Sequence, residues 1–314
     1  MNTQCIGFLG YGEVGQRFAA DLRAAGAQRE LATYDLLLHR AAAGDAMRRH
    51  ANAHRIDLMA DAAALADGAT LIFSAVTADQ TLAAARSLAE RSLKHACVID
   101  VNSAAPQTKI ECAALVAAAG GRYVEAAVMT SVPPHGIRVP MLLGGAHAAE
   151  GEKLLRDLGF VAETVSTDLG VASAIKLCRS VIIKGLESLV VESFSAARLL
   201  GVEKQVLASL AETYPQFDWE KQGDYLFSRV IQHGKRRAEE MRASAQMIDA
   251  TGIGGTMAAA AAQRQAQVAA QREAGAFDDP MKLKPWRERV DEMGTFLICS
   301  KRGRASSMTD DVEK

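Results

Sequence analysis

Short β-rich runs alternate with alanine-rich helical stretches through the first half of this chain and then stop. The runs are Cys5–Gly10, Glu30–Tyr34, Ala69–Val76, Cys97–Val101, Arg122–Ala127, Pro140–Leu143 and Phe160–Val165. Several are apolar almost throughout, as in Ala69-Thr70-Leu71-Ile72-Phe73-Ser74-Ala75-Val76, the pattern of a strand covered on both faces. Segments between them, such as Glu13–Ala25 and Asp79–Arg91, carry helical apolar spacing. Strand and helix in alternation predict an α/β fold with a Rossmann-type, doubly wound parallel sheet. After about residue 166 the strand signals end. Val171–Leu200 is one long helical pattern with Ser166-Thr167-Asp168 as candidate caps and Gly201 as its stop. Further helices are broken at Pro215, Gly252–Gly255, Gly275 and Pro280–Pro285. The expected division is therefore 1–166 for the sheet domain and 167–314 for an all-α C-terminal domain, frayed over 300–314. The alanine run Ala258–Ala262 reads as a tightly packed helix rather than a linker.

Composition narrows the function classes. At 314 residues the chain is about twice a typical domain of roughly 150, so each half can bury a core. Lys+Arg 36 against Asp+Glu 37 leaves a formal charge of −1, too little for a global field that would hold nucleic acid or an anionic membrane. No uncharged apolar run approaches the roughly 20 residues of a membrane span. Met1–Gln4 lacks the basic start of a signal peptide, and Glu13 interrupts the apolar stretch behind it. Cys5, Cys97, Cys112, Cys178 and Cys299 are scattered, with no Cys-x-x-Cys pair, which reads as reduced thiols in a cytoplasmic protein. Metal-ligand spacing of the His-Glu-x-x-His kind is absent from the sequence, as is a Gly-x-Ser-x-Gly nucleophile elbow.

Gly10-Tyr11-Gly12-Glu13-Val14-Gly15 follows the first strand and opens the first helix. In that setting the first glycine makes the turn, the second admits a pyrophosphate, and the third lets helix pack on strand. Asp35 lies 20 positions after Gly15, at the end of the second run. A carboxylate there accepts hydrogen bonds from an adenosine ribose and repels a 2′-phosphate, which favours NAD over NADP. Capping the segment that follows is the other role open to Asp35. His39 and Arg40 stand close enough to leave NADP open.

Asp100-Val101-Asn102-Ser103-Ala104-Ala105-Pro106 then resembles the Asp-x-Ser-Thr-x-x-Pro of the β-hydroxyacid dehydrogenase superfamily, which includes 3-hydroxyisobutyrate and 6-phosphogluconate dehydrogenases. The resemblance extends to about residue 241. It implies that Asn102 and Ser103 lie beside the nicotinamide and the substrate, with Val76 and Thr77 also on the cofactor. An Asx or Ser turn capping the next helix is the alternative for Asn102 and Ser103. The family's substrate loop, Asp-x-Pro-Val-Ser-Gly-Gly, is replaced by Glu125-Ala126-Ala127-Val128-Met129-Thr130-Ser131, running on to Val132-Pro133-Pro134-His135-Gly136. That form resembles a branch whose C-terminal domain has no known function. Thr130, Ser131 and His135 are candidate substrate donors, with a plain exposed loop histidine as the alternative for His135.

The family's Gly-x-Gly-x-x-x-Lys-x-x-x-Asn appears as Gly170, Ala172, Lys176 and Ser180. A lysine whose amine is desolvated can accept a hydroxyl proton as hydride leaves the carbinol carbon. Lys176 is the candidate catalytic residue and Ser180 a candidate substrate ligand. Snorkelling from an apolar helix is the alternative for Lys176, and Lys184 reads as structural. In Gln232–Met241, His233 falls where relatives carry a lysine that closes over cofactor and substrate. Together with Arg237 it is a candidate clamp for an anionic substrate. For Lys235 and Arg236 a solvated helix face is the alternative.

The resemblance thus implies an NAD-dependent enzyme acting on the secondary alcohol of a small hydroxy acid in a cleft between the two domains. For a hydroxyl β to the carboxylate, the resemblance to the phosphogluconate enzymes leaves open a following loss of carbon dioxide from the ketone product. A homodimer formed through the helical domain is expected. Two other classes remain open, an imine or ketone reductase of the same architecture and a non-catalytic dinucleotide-binding sensor.

Overall fold

The computed structural model describes residues 5–26, 29–94 and 96–309, with side chains as far as Ile298. The expectations for residues 1–4, for the Cys299 thiol and for the tail 310–314 lie outside the described residues. In chain order the N-terminal part runs β1 (Ile6–Leu9), α1 (Glu13–Ala24), β2 (Leu31–Tyr34), α2 (Ala41–Ala53), β3 (Asp57–Leu58), α3 (Ala62–Gly68), β4 (Leu71–Ser74), α4 (Thr81–Ala89), β5 (Cys97–Asp100), α5 (Pro106–Ala118), β6 (Arg122–Val128), α6 (Val132–His135), β7 (Pro140–Gly144), α7 (Ala148–Asp157) and β8 (Val161–Ser166). It is followed by α8 (Val171–Leu199), α9 (Glu203–Thr213), α10 (Trp219–Asp249), α11 (Thr256–Glu273) and α12 (Trp286–Thr309).

Among the described residues the eight strands form one sheet in the order β3-β2-β1-β4-β5-β6-β7-β8. The central strands β1, β4 and β5 are buried along their whole length, as their apolar runs require. Alternate residues face opposite layers. Ile6, Phe8, Leu71, Phe73, Cys97 and Ile99 belong to one apolar cluster, while Leu9, Ile72 and Val98 belong to the other. On the first face Phe8, Phe18, Phe73 and Phe160 form a chain of ring contacts.

Two features depart from the sequence expectation. The sheet is mostly rather than wholly parallel, because β7 pairs antiparallel with β6. The connection between them holds only α6 and a short 3-10 turn, too little for the crossover that parallel strands need. β8 then returns parallel to β7 after the α7 crossover. The second departure is β3, two exposed residues paired with β2. Its Asp57-Leu58 carries no apolar run by which it could be recognised.

The chain divides into two compact units, Met1–Cys178 and Arg179–Lys314. The division falls inside α8, twelve residues beyond the expected boundary, so Lys176 belongs to the sheet unit. In the helical unit Val190, Phe194, Trp219, Phe227 and Trp286 anchor one cluster. Met241, Ala245, Ala258, Ala261 and Ala262 form a second, which accounts for the alanine run as a packed face. The last helix continues in backbone to Thr309. Among the described residues no helix is long and apolar enough to cross a membrane. Cys5, Cys97, Cys112 and Cys178 are free thiols, and burial pushes those of Cys97 and Cys112 up to about 12.

Candidate functional site

The sheet order reverses direction between β1 and β4, and the carboxyl ends of β2, β1, β4 and β5 stand side by side. Ligands of open α/β sheets lie at this switch point. The glycine loop leaves β1 here. Gly10 has φ +92, and a Cβ on it would stand 2.5 Å from the Ala75 carbonyl oxygen. A Cβ on Gly15 would collide with the carbonyl oxygen of Gly10. Both are therefore glycine for reasons internal to the protein. Gly12 is different. Its φ is −78, and a Cβ there would meet nothing within 4 Å. Gly12 also caps α1 without a side-chain hydrogen bond. An uncapped helix N-terminus behind a glycine that the fold does not require fits the close approach of a pyrophosphate.

Tyr11, by contrast, turns its side chain inward. It is fully buried, and its hydroxyl lies 2.8 Å from His50 Nδ1 on α2. Burial and the stacked His54 hold His50 below the ordinary histidine range. Only the Tyr11 backbone is left to face a cofactor, and its N–H donates to Asp35 Oδ2 at 2.7 Å. Asp35 Oδ1 accepts the N–H of Leu37 at 2.8 Å, so Asp35 also caps the turn after β2, the second role that the sequence left open. His39 and Arg40 are exposed on that turn, Glu13 is exposed, and Val14 is half-buried.

Around the end of β5 the side chains form one connected network. Asn102 Oδ1 accepts the Val76 N–H at 2.6 Å, and Asn102 Nδ2 donates to Ser74 Oγ. Asn102 thus braces the ends of β4 and β5 and gives its amide to the protein. Asp100 lies beneath it. One carboxylate oxygen accepts the Asn102 N–H and pairs with fully buried Lys109 at 2.8 Å, and the other accepts from the Tyr123 hydroxyl. Burial pushes the Tyr123 phenol well above its ordinary range. Asp100, Lys109, Tyr123 and Ser74 were not singled out from the sequence, and only the Asp-x-Asn-Ser spacing hinted at Asp100. Thr77, exposed, donates to Asp79. Ser103 is half-exposed, and the amine of Lys176, on the second turn of α8, donates to its Oγ at 2.5 Å. The structure therefore brings together the two residues that the sequence placed at the reaction centre.

The divergent loop lies after β6. Thr130 and His135 are exposed and Ser131 is half-buried. Pro133 and Pro134 have no N–H, so this loop offers side chains rather than consecutive backbone donors. It is fastened to α1, where Asp21 accepts the Ile137 N–H and Arg17 donates to the Pro133 carbonyl at 2.8 Å.

In the helical unit Ser180, Lys184 and Arg237 meet internal partners. Lys184 pairs with Glu240 at 2.7 Å and donates to Ser180, consistent with a structural role for Lys184. Arg237 is buried, and one of its nitrogens bonds both oxygens of Glu187 at 2.7 Å. Burial lowers the Arg237 guanidinium and raises the Glu187 carboxyl, and each charge pulls the other part of the way back. Burial, with Arg229, Arg236, Arg237 and Arg272 nearby, lowers His233 to about 4. His233 is therefore neutral at pH 7 and can offer a hydrogen bond but no charge. Arg237 is held by its internal carboxylate. The carboxylate that meets Arg237 lies 50 residues away in sequence, where no local pattern points to it. Among the described residues no group of three His, Cys, Asp or Glu side chains comes together to hold a metal.

This sheet, with its glycine loop at the switch point, defines a dinucleotide-binding domain with the fold of the hydroxyacid dehydrogenases. Residues 5–155 match the NAD-binding domain of 6-phosphogluconate dehydrogenase, and residues 197–268 match a domain of unknown function, DUF1932. The chain belongs to the family that joins these two domains. It is 36% identical to a conserved hypothetical protein from Sinorhizobium meliloti 1021, over 94% of this chain and 97% of that one, with a TM-score of 0.73. A conserved protein of unknown function, described as structurally similar to 3-hydroxyacid dehydrogenases, is 28% identical over 85% of this chain and 99% of its own, with a TM-score of 0.64. The 3-hydroxyisobutyrate dehydrogenase of Mycobacterium tuberculosis, solved with L-serine, shares the fold at 18% identity and a TM-score of 0.64, over 92% of this chain and 98% of that one. An uncharacterized 28.5 kDa protein of Methanothermus fervidus, encoded in the 7S RNA 5′ region, is 30% identical over 146 residues. That match spans 46% of this chain and 54% of the relative's length.

Proposed function

We propose that this protein is an NAD-dependent oxidoreductase acting on the secondary alcohol of a small hydroxy acid. Lys176 is its general base in oxidation and its general acid in reduction. The contact of Lys176 Nζ with Ser103 Oγ carries the reading, since it places an amine and a hydroxyl together beyond the end of β5. Bound NAD supplies the hydride acceptor. The glycine loop and Asp35 hold it, and Asn102, by bracing Val76, keeps the ends of β4 and β5 in register beside it. Ser103 orients the carbinol hydroxyl, and the neutral Lys176 amine takes its proton as the carbinol carbon loses hydride. In reduction the ammonium returns the proton. Thr130, Ser131 and His135 present side-chain donors to the carboxylate of the substrate, because Pro133 and Pro134 have no N–H to offer.

The functional form on this reading is a homodimer. Ile182 and Leu189, 71% and 55% exposed, lie seven residues apart on one face of α8. An apolar patch of this kind can meet its own copy across a two-fold axis.

The test is a scan of small hydroxy acids with NAD and with NADP, followed by the absorbance of the reduced nicotinamide, on wild type and on Lys176→Met. Methionine keeps the length and helix propensity of lysine and removes the amine. Turnover should fall by roughly 10²–10⁴-fold, the usual contribution of a general acid–base group, with NAD affinity by calorimetry unchanged. A variant that keeps more than about a tenth of wild-type turnover would demote Lys176 to a snorkelling residue and favour an imine or ketone reductase. NAD binding with no turnover of any alcohol, ketone or imine would favour a sensor.

A further inference from the structure

We infer that Glu125 is the positioning residue for Lys176: held on β6, its carboxylate fixes the first turn of α8 and so sets the approach of the amine to Ser103. The inference rests on the reading of Lys176 given above.

Glu125 is fully buried, opposite Gly144 in the register of β6 and β7. Its Oε2 accepts the Gly170 N–H and its Oε1 the Ser173 N–H, each at 2.5 Å. A buried carboxylate is costly unless it is fully hydrogen-bonded. Here both oxygens meet backbone donors at the start of a 29-residue helix, whose positive end favours a negative group. Having no exposure, Glu125 cannot touch substrate. What it controls is placement.

Ser173 precedes Lys176 by three residues, less than one helical turn. Fixing the Ser173 N–H therefore fixes the rotation of α8 about its axis and the direction in which Lys176 leaves it. Gly170, at φ +89, abuts the other partner. A Cβ on it would stand 2.8 Å from the Pro106 Cβ, three residues beyond Ser103. One carboxylate thus ties the turn that carries the lysine and the residue that abuts the serine loop. The fit is close, since a Cβ on Gly144 would reach within 3.0 Å of Glu125 Oε2. Aspartate is one methylene shorter, and glutamine would turn an NH₂ group against one of the two N–H donors.

The experiment needs no substrate. Lys176 in the full-length protein is acetylated over a range of pH, and its labelling rate is followed by peptide mass spectrometry with exposed Lys153 and Lys204 as internal references. In Glu125→Gln the Lys176 rate at a given pH should change by roughly 2- to 30-fold, the range that corresponds to losing a helix N-terminal cap, and its pH profile should move with it. Lys153, Lys204 and NAD affinity should not change. Glu125→Asp should restore part of the wild-type profile. Gly144→Ala, whose Cβ would stand 3.0 Å from Glu125 Oε2 and 3.2 Å from the Asp168 carbonyl oxygen, should act in the same direction less strongly, and it decides the matter if Glu125→Gln does not fold. A folded Glu125→Gln, or failing that a folded Gly144→Ala, with an unchanged Lys176 profile overturns the inference and leaves Glu125 as a structural cap. Failure of the dehydrogenase reading would show instead as an active Lys176→Met, with the labelling result unaffected.

Discussion

Asp35 holds the glycine loop with one oxygen and the turn after β2 with the other, so on the proposed reading cofactor preference and loop geometry meet in one side chain. Wild-type protein should bind NAD several-fold more tightly than NADP. Asp35→Ala removes both the ribose acceptor and the repulsion of a 2′-phosphate, so the gap should narrow. NAD affinity itself should drop roughly 10- to 150-fold, since hydrogen bonds to a charged group are worth about 1.5–3 kcal/mol. Calorimetry with both cofactors measures this. Tighter NADP binding by wild type would show that exposed His39 or Arg40 decides. At this scale the glycines and Asp35 were legible because the motif is local, set by a turn and the ends of the two strands beside it. Tyr11 was not. Its motif position says nothing of His50, whose ring on α2 shares a hydrogen bond with the Tyr11 hydroxyl.

The element that best shows how local and long-range order combine is the loop from Ser131 to Arg138. Its prolines start the single turn of α6, and Gly136, at φ +56, ends it. Any Cβ on Gly136 would collide with the Asp21 carboxylate, which accepts the next N–H, that of Ile137. Gly136→Ala should therefore combine left-handed backbone strain with loss of the Asp21 contact, a destabilisation of about 1–3 kcal/mol. Hydrogen exchange should accelerate over residues 131–138, and thermal melting should register the loss. Unchanged exchange there would mean that the clamp from α1 does not hold the loop. Helix limits such as Thr256–Glu273 were readable from glycine breaks and alanine spacing. The antiparallel β7 was not, since a strand's own sequence does not say which way its neighbour runs.

Across the whole molecule, the exposed apolar face of α8 bears on assembly. Sedimentation or light scattering should report a dimer for wild type and a monomer for Ile182→Glu with Leu189→Glu, with far-ultraviolet circular dichroism retained. A wild-type monomer at micromolar concentration would remove the homodimer from the proposal. The sequence by itself determined the alternation of strands and helices, the change to all-helical structure, the cofactor loop and the candidate lysine. These signals rest on periodicity and on neighbours within one or two turns of chain. Tertiary structure alone decided what each side chain meets: Asp35 with Tyr11 across 24 residues, Glu125 with Gly170 across 45, Lys176 with Ser103 across 73, and Arg17 with Pro133 across 116. It also neutralised His233 and gave Arg237 an internal partner. The physical reason is that hydrogen bonds and burial act over a few ångströms of space, and only the folded sheet brings residues so far apart in the chain within that distance.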